Sequence, residues 1–275
     1  RGRSDVMDWG MKNRLNRILQ PETGRTLMLA IDHGYFLGPT SGLEEPYETV
    51  KDLIPHADSL MLTRGVLRSC IPPGTKIPIV LRMSGGTSIL KELSEEGLTV
   101  AVEDAIRLNA SAITLSVFIG ADGERATLLN LAKLVDAGHQ YGIPVLAVTA
   151  VGKDMVREAR YLGLACRIAA ELGAHMVKTY FCDGFEEIVR NTPVPIVIAG
   201  GKKRPERDAL QMAYDAIQAG ASGVDMGRNI FQSDSPVGMI KAVRAIVQKD
   251  AGLEEAFTIY EEEKAGTPVL EPQPA

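Results

Sequence analysis

Gly173-Ala174-His175-Met176-Val177-Lys178-Thr179-Tyr180-Phe181 is an apolar run that carries one lysine and stops at the turn Cys182-Asp183-Gly184. It is bounded on both sides and too short for a helix, which predicts a buried strand over His175–Thr179. Lysine is rarely buried without a partner, because desolvation disfavours the ammonium form. A strand that still places one near its C-terminal end suits an amine that attacks a carbonyl and forms a Schiff base. The same lysine would equally suit a strand end whose ammonium reaches water. The flanking sequence weighs between the two.

Outward from that strand, the pattern predicts seven more, at Thr26–Ile31, Ser59–Thr63, Pro78–Arg82, Ala112–Ser116, Pro144–Val148, Pro195–Ala199 and Gly223–Met226. Helical patterns fall between and after them: Glu45–His56, Arg64–Ser69, Ser88–Glu96 with Val102–Asn109, Glu124–Tyr141, Asp154–Leu172, Phe185–Asn191, Pro205–Ala219 and Val237–Lys249. Alternating βα units of this number and length predict an α/β fold, a (β/α)8 TIM barrel. An open doubly wound sheet fits less well, since no G-x-G-x-x-G turn follows the first strand. A short extra N-terminal helix ending near Pro21 would plug one end of the barrel. One domain over residues 1–265 is expected, followed by a Pro-rich, disordered tail at 266–275.

Alternate residues of a barrel strand point inward. Taking the polar set as inward gathers Asp32, Thr63, Arg82, Ser116, Thr149, Lys178 and Asp225 at the C-terminal mouth, where barrel active sites lie. Two glycine-bearing turns follow the last two strands: Gly200-Gly201-Lys202-Lys203 and Gly227-Arg228-Asn229. Glycines let backbone N–H groups approach an anion and the cations neutralise it, so Gly200, Gly201, Lys202, Gly227 and Arg228 are candidate phosphate ligands. Ser84-Gly85-Gly86-Thr87 is a weaker third loop. Asp32 and His33, just after the first strand, could relay protons. Asp32 could also merely cap a turn. Lys153, Lys202 and Lys203 sit in polar loops that suit anion binding better than imine formation. Cys182 has no obvious histidine partner.

A net charge of -5 argues against a nucleic-acid-binding surface. Three cysteines, Cys70, Cys166 and Cys182, lack C-x-x-C spacing, so neither disulfides nor zinc are expected and a reducing cytoplasm fits. No His/Asp/Glu set has metal spacing. No segment has the signal-peptide pattern or the apolar length of a membrane span, so no membrane partner is expected.

The segments Leu29-Ala30-Ile31-Asp32-His33-Gly34, Val177-Lys178-Thr179-Tyr180, Val197-Ile198-Ala199-Gly200-Gly201-Lys202 and Val224-Asp225-Met226-Gly227-Arg228-Asn229-Ile230-Phe231 resemble the DeoC/FbaB class I aldolase family, from about Val6 to Ala265. The resemblance implies a Schiff-base lysine at Lys178, an acid/base aspartate at Asp32 and phosphate binding by the last two loops, without a metal. The stretches Asp8-Trp9-Gly10-Met11, Asp32-His33-Gly34-Tyr35-Phe36 and Val148-Thr149-Ala150-Val151-Gly152-Lys153-Asp154-Met155-Val156-Arg157 resemble its thiolase branch. That branch adds His33 as a catalytic partner and coenzyme A as co-substrate, with a small phosphorylated ketone or diketone cleaved to dihydroxyacetone phosphate and an acetyl group. Fructose-bisphosphate aldolases and aminodideoxyheptulosonate synthases, the alternative within the family, carry a proton-donating tyrosine after strand five. This chain has Ala150-Val151-Gly152-Lys153 there. A non-catalytic barrel that binds a phosphorylated metabolite is the other reading. The family also implies a ring-like homo-oligomer such as a decamer, with Trp9–Leu19 and Leu253–Glu263 as contact helices.

Overall fold

The computed structural model describes residues 7–151 and 158–266. Eight parallel strands close into a barrel in chain order: β1 (Thr26–Ala30), β2 (Ser59–Thr63), β3 (Ile79–Arg82), β4 (Ala112–Ile119), β5 (Val145–Val151), β6 (Met176–Tyr180), β7 (Ile196–Ala199) and β8 (Gly223–Met226). The strand of the opening lysine is β6. The seam joins β1 to β8, pairing Thr26 with Gly223 and Met28 with Asp225. Gly223 has φ +131°, and a Cβ there would lie 1.9 Å from the Thr26 carbonyl oxygen, so glycine is required for closure.

Side-chain alternation sorts the core into two regions. Leu27, Leu29, Leu60, Leu62, Ile113, Leu115, Val224 and Met226 face the helix layer. Met28, Ala30, Met61, Val80, Ala112, Leu146, Met176 and Val197 fill the barrel interior. The helix Trp9–Ile18, N-capped by the Asp8 carboxylate on the Met11 N–H at 2.8 Å, drives Ile18 into that interior cluster and plugs the N-terminal end, as expected. Beneath the seam, Asp58 accepts from the Leu27 N–H at 2.8 Å and pairs with Arg244 at 2.9 Å, tying β1 to the helix Pro236–Lys249.

Two helical expectations are corrected. Ser88–Glu96 is not helical: Ser84–Gly85 and Gly97–Leu98 pair as an antiparallel ribbon around it. Within the excursion the Thr87 hydroxyl donates to the Leu93 carbonyl and the Glu92 carboxylate accepts from the Ser94 N–H, local bonds that compete with a helix. The stretch Glu45–His56 splits into Pro46–Val50 and a 3-10 turn, Ile54–His56, because Pro55 has no N–H to donate. The expected helix Asp154–Leu172 is seen as Ala159–Glu171; its first residues, with Lys153, lie outside the described residues. The expected tail also lies outside them from residue 267, while Gly266 ends the helix Leu253–Gly266.

Candidate active site

The C-terminal ends of the strands surround a cavity of about 300 Å3 whose wall includes Asp32, His33, Arg82, Ser116, Lys178 and Asp225. Each strand delivers its residue by register. Lys178 follows Met176 by two positions on β6, and Asp225 lies on β8 opposite Met28, so both point inward with the interior cluster. The Lys178 ammonium meets the Asp225 carboxylate at 2.9 Å, with both residues buried. Burial pushes the Asp225 carboxyl up, and the charge of Lys178 opposes the rise.

Opposite this pair, Arg82 holds Asp32 with two nitrogens, Nε at 2.9 Å and Nη2 at 2.8 Å, and donates from Nη1 to the Ser116 hydroxyl at 3.0 Å. Burial acts to raise the Asp32 carboxyl, but Arg82 foremost, then Lys178 and His33, hold it below the usual carboxylate range. The guanidinium also lies 4.8 Å from the centre of the Tyr35 ring. The Tyr35 hydroxyl donates to Glu96 at 2.7 Å, and Ser84 donates to the other oxygen of Glu96 at 2.6 Å. A buried polar network thus runs from Asp32 through Arg82, Ser116 and Tyr35 to Glu96.

His33 packs edge-on against Phe231, with ring centres 5.8 Å apart. Burial lowers its pKa to about 4, so the imidazole is neutral at neutral pH and able to accept a proton. Its Nδ1 is buried with no hydrogen-bond partner among the described residues.

Gly200, Gly201, Gly227 and Arg228 border the same cavity. Asn229 staples the two loops: its amide donates to the Gly200 carbonyl at 2.7 Å and to the Lys202 carbonyl at 3.3 Å, and its oxygen accepts from the Arg204 N–H at 2.8 Å. A Cβ at Gly227 would lie 2.2 Å from the Ala30 carbonyl oxygen and 2.5 Å from His33 Cε1, so only glycine lets this loop settle against β1. The Arg228 Nε is buried and unpaired among the described residues, a donor in place for an anion.

Three other expected members sit differently, although Thr149 still borders the cavity. The Lys202 side chain is exposed and outside the cavity wall. Thr63 caps the helix Arg64–Cys70 by accepting from the Val66 N–H, and borders a neighbouring cavity. Thr149 was expected inward, but Leu146 and Val148 take the interior parity of β5; the Thr149 hydroxyl donates to the Lys178 carbonyl at 3.2 Å. Tyr35, Glu96, Phe118 and Asn229 went unmarked as site residues. Only Asn229 left a usable signal, since it stands in the loop that follows β8. Among the described residues, no group of three or more His, Cys, Asp or Glu is placed to hold a metal ion, and no helix is long and apolar enough to cross a membrane.

The model of the DeoC/LacD family aldolases matches residues 26–233. Over 260 residues the chain is 57% identical to the 3-hydroxy-5-phosphonooxypentane-2,4-dione thiolase of Photorhabdus laumondii, covering 94% of this chain and 89% of that one. The enzyme of the same name from an Enterobacter species is 58% identical over 262 residues, with 95% and 89% covered. An archaeal fructose-1,6-bisphosphate aldolase, solved with its catalytic lysine bound to the carbinolamine intermediate, superposes with a TM-score of 0.76 at 25% identity, covering 86% of this chain and 99% of that one. A fructose-bisphosphate aldolase from Slackia heliotrinireducens shares the fold, with a TM-score of 0.83 at 19% identity and 98% and 95% covered. The chain belongs to the DeoC/LacD aldolase family.

Proposed function

We propose that the protein is a Schiff-base thiolase that cleaves 3-hydroxy-5-phosphonooxypentane-2,4-dione, passing the acetyl group to coenzyme A and releasing dihydroxyacetone phosphate. The observation that carries this reading is the buried Lys178 amine at the barrel mouth, 2.9 Å from Asp225, in a chain 57% identical to a thiolase of that name. The phosphate lies against Gly200, Gly201, Gly227 and Arg228. The neighbouring ketone condenses with Lys178 and loses water, leaving an iminium that acts as electron sink. The coenzyme A sulfur adds to the acetyl carbonyl and gives its proton to His33. The C–C bond then breaks, its electron pair passing into the iminium as an enamine. The enamine carbon recovers a proton, and hydrolysis frees dihydroxyacetone phosphate and Lys178. Asp32, held ionised by Arg82, stabilises the iminium charge and relays protons. Ala150 lines the cavity where the aldolase branch carries its tyrosine, which favours the thiolase reading over a simple aldol cleavage.

Borohydride trapping with dihydroxyacetone phosphate, followed by peptide mapping, tests the imine. A reduced adduct on Lys178, absent from Lys178→Ala, is expected together with coenzyme A-dependent thioester formation. Turnover by Lys178→Ala would refute the mechanism. We also propose a homo-oligomer: Trp9 is 79% exposed on the first helix, a large aromatic left for another subunit to cover.

A further inference from the structure

A second cavity, of about 840 Å3, lies against the first at the ends of β1, β2 and β3. Asp32, Tyr35 and Arg82 border both, so the partition between them is a single layer of side chains. The two chambers differ in chemistry. The Lys178 chamber concentrates the charge, with Asp32, Arg82, Glu96, Lys178, Asp225 and Arg228 in its wall among apolar neighbours such as Phe118 and Val148. Beyond the partition the wall is mostly neutral, with hydroxyls of Thr40, Ser69 and Thr99 set among Leu43, Val66 and Val100. Gly34, Gly65 and Gly86 widen it, since a Cβ at any of them would meet nothing within 4 Å. Glu44 is tied to the Gly42 N–H at 2.8 Å, and Arg64 stands exposed at the rim, paired with Asp104 at 3.3 Å on its outer side.

We propose that this second cavity seats the pantetheine arm of the acetyl acceptor, so that thiol and phosphorylated dione reach the reaction centre from opposite sides of the Asp32–Tyr35–Arg82 partition. The inference rests on the thiolase reading above. Pantetheine is an uncharged chain of two amides, a hydroxyl and a gem-dimethyl group, and a wall of hydroxyls and small apolar side chains matches it. A charged chamber does not, because its ionised groups would lose water without gaining a counter-charge. The substrate's own geometry sets the side of attack. With the phosphate on the loops after β7 and β8, the acetyl carbonyl lies at the far end of the molecule, toward β1–β3 and the partition. The sulfur crosses there, bonds to the acetyl carbon and gives its proton to His33. The acetyl–carbon bond breaks into the Lys178 iminium, and the resulting enamine carbon recovers the proton. No electrons enter or leave. Arg64 meets the nucleotide phosphates outside.

The test uses a variant and a native reporter. Gly65→Trp puts an indole into the open space of the second cavity without touching the Lys178 chamber. Its KM for coenzyme A should rise about tenfold or more, while borohydride trapping of dihydroxyacetone phosphate and the KM for the dione stay within about twofold. In the wild-type protein Cys70, which borders this cavity, should be alkylated by iodoacetamide at least about fivefold more slowly under saturating coenzyme A, and at an unchanged rate under dihydroxyacetone phosphate. Cys182, outside the cavity wall, is the internal control. An unchanged coenzyme A KM in folded Gly65→Trp, or a Cys70 rate indifferent to coenzyme A in an enzyme that makes acetyl-coenzyme A, would overturn the second chamber and leave the thiolase reading intact. A wild-type protein that makes no thioester would overturn both.

Discussion

Replacing Arg82 with methionine removes a buried charge from beneath the site while keeping most of its volume. At 2.8 Å and an effective dielectric near 20, the gross attraction between Arg82 and Asp32 is about 6 kcal/mol. Much of that offsets the desolvation of two buried ions, so the net value of the pair is small. Removing one partner is different, because the Asp32 carboxylate is then stranded. A loss of about 3–5 kcal/mol in unfolding free energy is expected at pH 8. The sign with pH follows from Asp32. In the parent its carboxyl is held below its ordinary 3.8, so its stabilisation is present above that pH and is lost as pH falls through the folded value. In Arg82→Met burial prevails and the carboxyl rises, so the penalty is full at high pH and fades as the carboxyl protonates. Urea unfolding at pH 8 and at pH 4.5 should show the difference between variant and parent shrinking toward the ~1–2 kcal/mol owed to the lost Ser116 bond and Tyr35 contact. The double variant Asp32→Asn, Arg82→Met should cost less than the sum of its parts by about 2 kcal/mol or more. A loss under about 1 kcal/mol at pH 8, or one that does not change with pH, would refute a charge-paired partition.

Gly227→Ala should cost about 1–3 kcal/mol in urea unfolding and lower kcat, because the new methyl meets the Ala30 carbonyl and His33; parent-like behaviour would show that the β8 loop has slack. Asn229→Ala should cost about 2 kcal/mol and raise KM for the phosphorylated substrate more than it lowers kcat, since the two glycine loops proposed to hold the phosphate lose their staple. Burial lowers His33 and His175 to about 4 from an ordinary 6.5, so the stability they support is present above pH 6.5 and falls as pH drops toward 4. Each contributes at most ~3 kcal/mol to that acid loss. His175→Phe should flatten the pH dependence of stability by about half, and an unchanged slope would contradict it.

The barrel was legible because its strands are short, buried on both faces and punctuated by turns, and all eight fall where periodicity puts them. Parity along β1, β2, β4 and β8 also sorted interior from exterior correctly, since leucine, isoleucine or valine recurs on one face and a polar residue marks the other. It failed on β5, where Val148 and Thr149 are close in size and polarity alone suggested the wrong face. The Ser88–Glu96 excursion misled because its alternation of leucine and charge mimics a helix, whereas Leu90 stands 89% exposed and the glycines on either side pair with each other. Tyr35 and Glu96 were invisible for another reason. Their meeting at 2.7 Å joins residues 61 positions apart, through the Ser84–Leu98 ribbon that carries Glu96 back over the mouth, and no local pattern records such a contact.

The seam between β1 and β8 bears on how the molecule reaches its native state. Thr26 and Gly223 are separated by most of the barrel sequence, so their pairing closes a very long loop and carries a correspondingly large entropic cost. Contacts of that range form late. During synthesis, seven strands and the Lys178 amine leave the ribosome before the strand that bears Asp225 and the Gly227–Asn229 loop. Until that strand docks, Lys178 lacks the Asp225 carboxylate and the loop after β7 lacks its Asn229 staple. Any side chain at position 223 would collide with the Thr26 carbonyl and hold that last step open, trading a fast-assembling chain for one that lingers with unpaired strand edges.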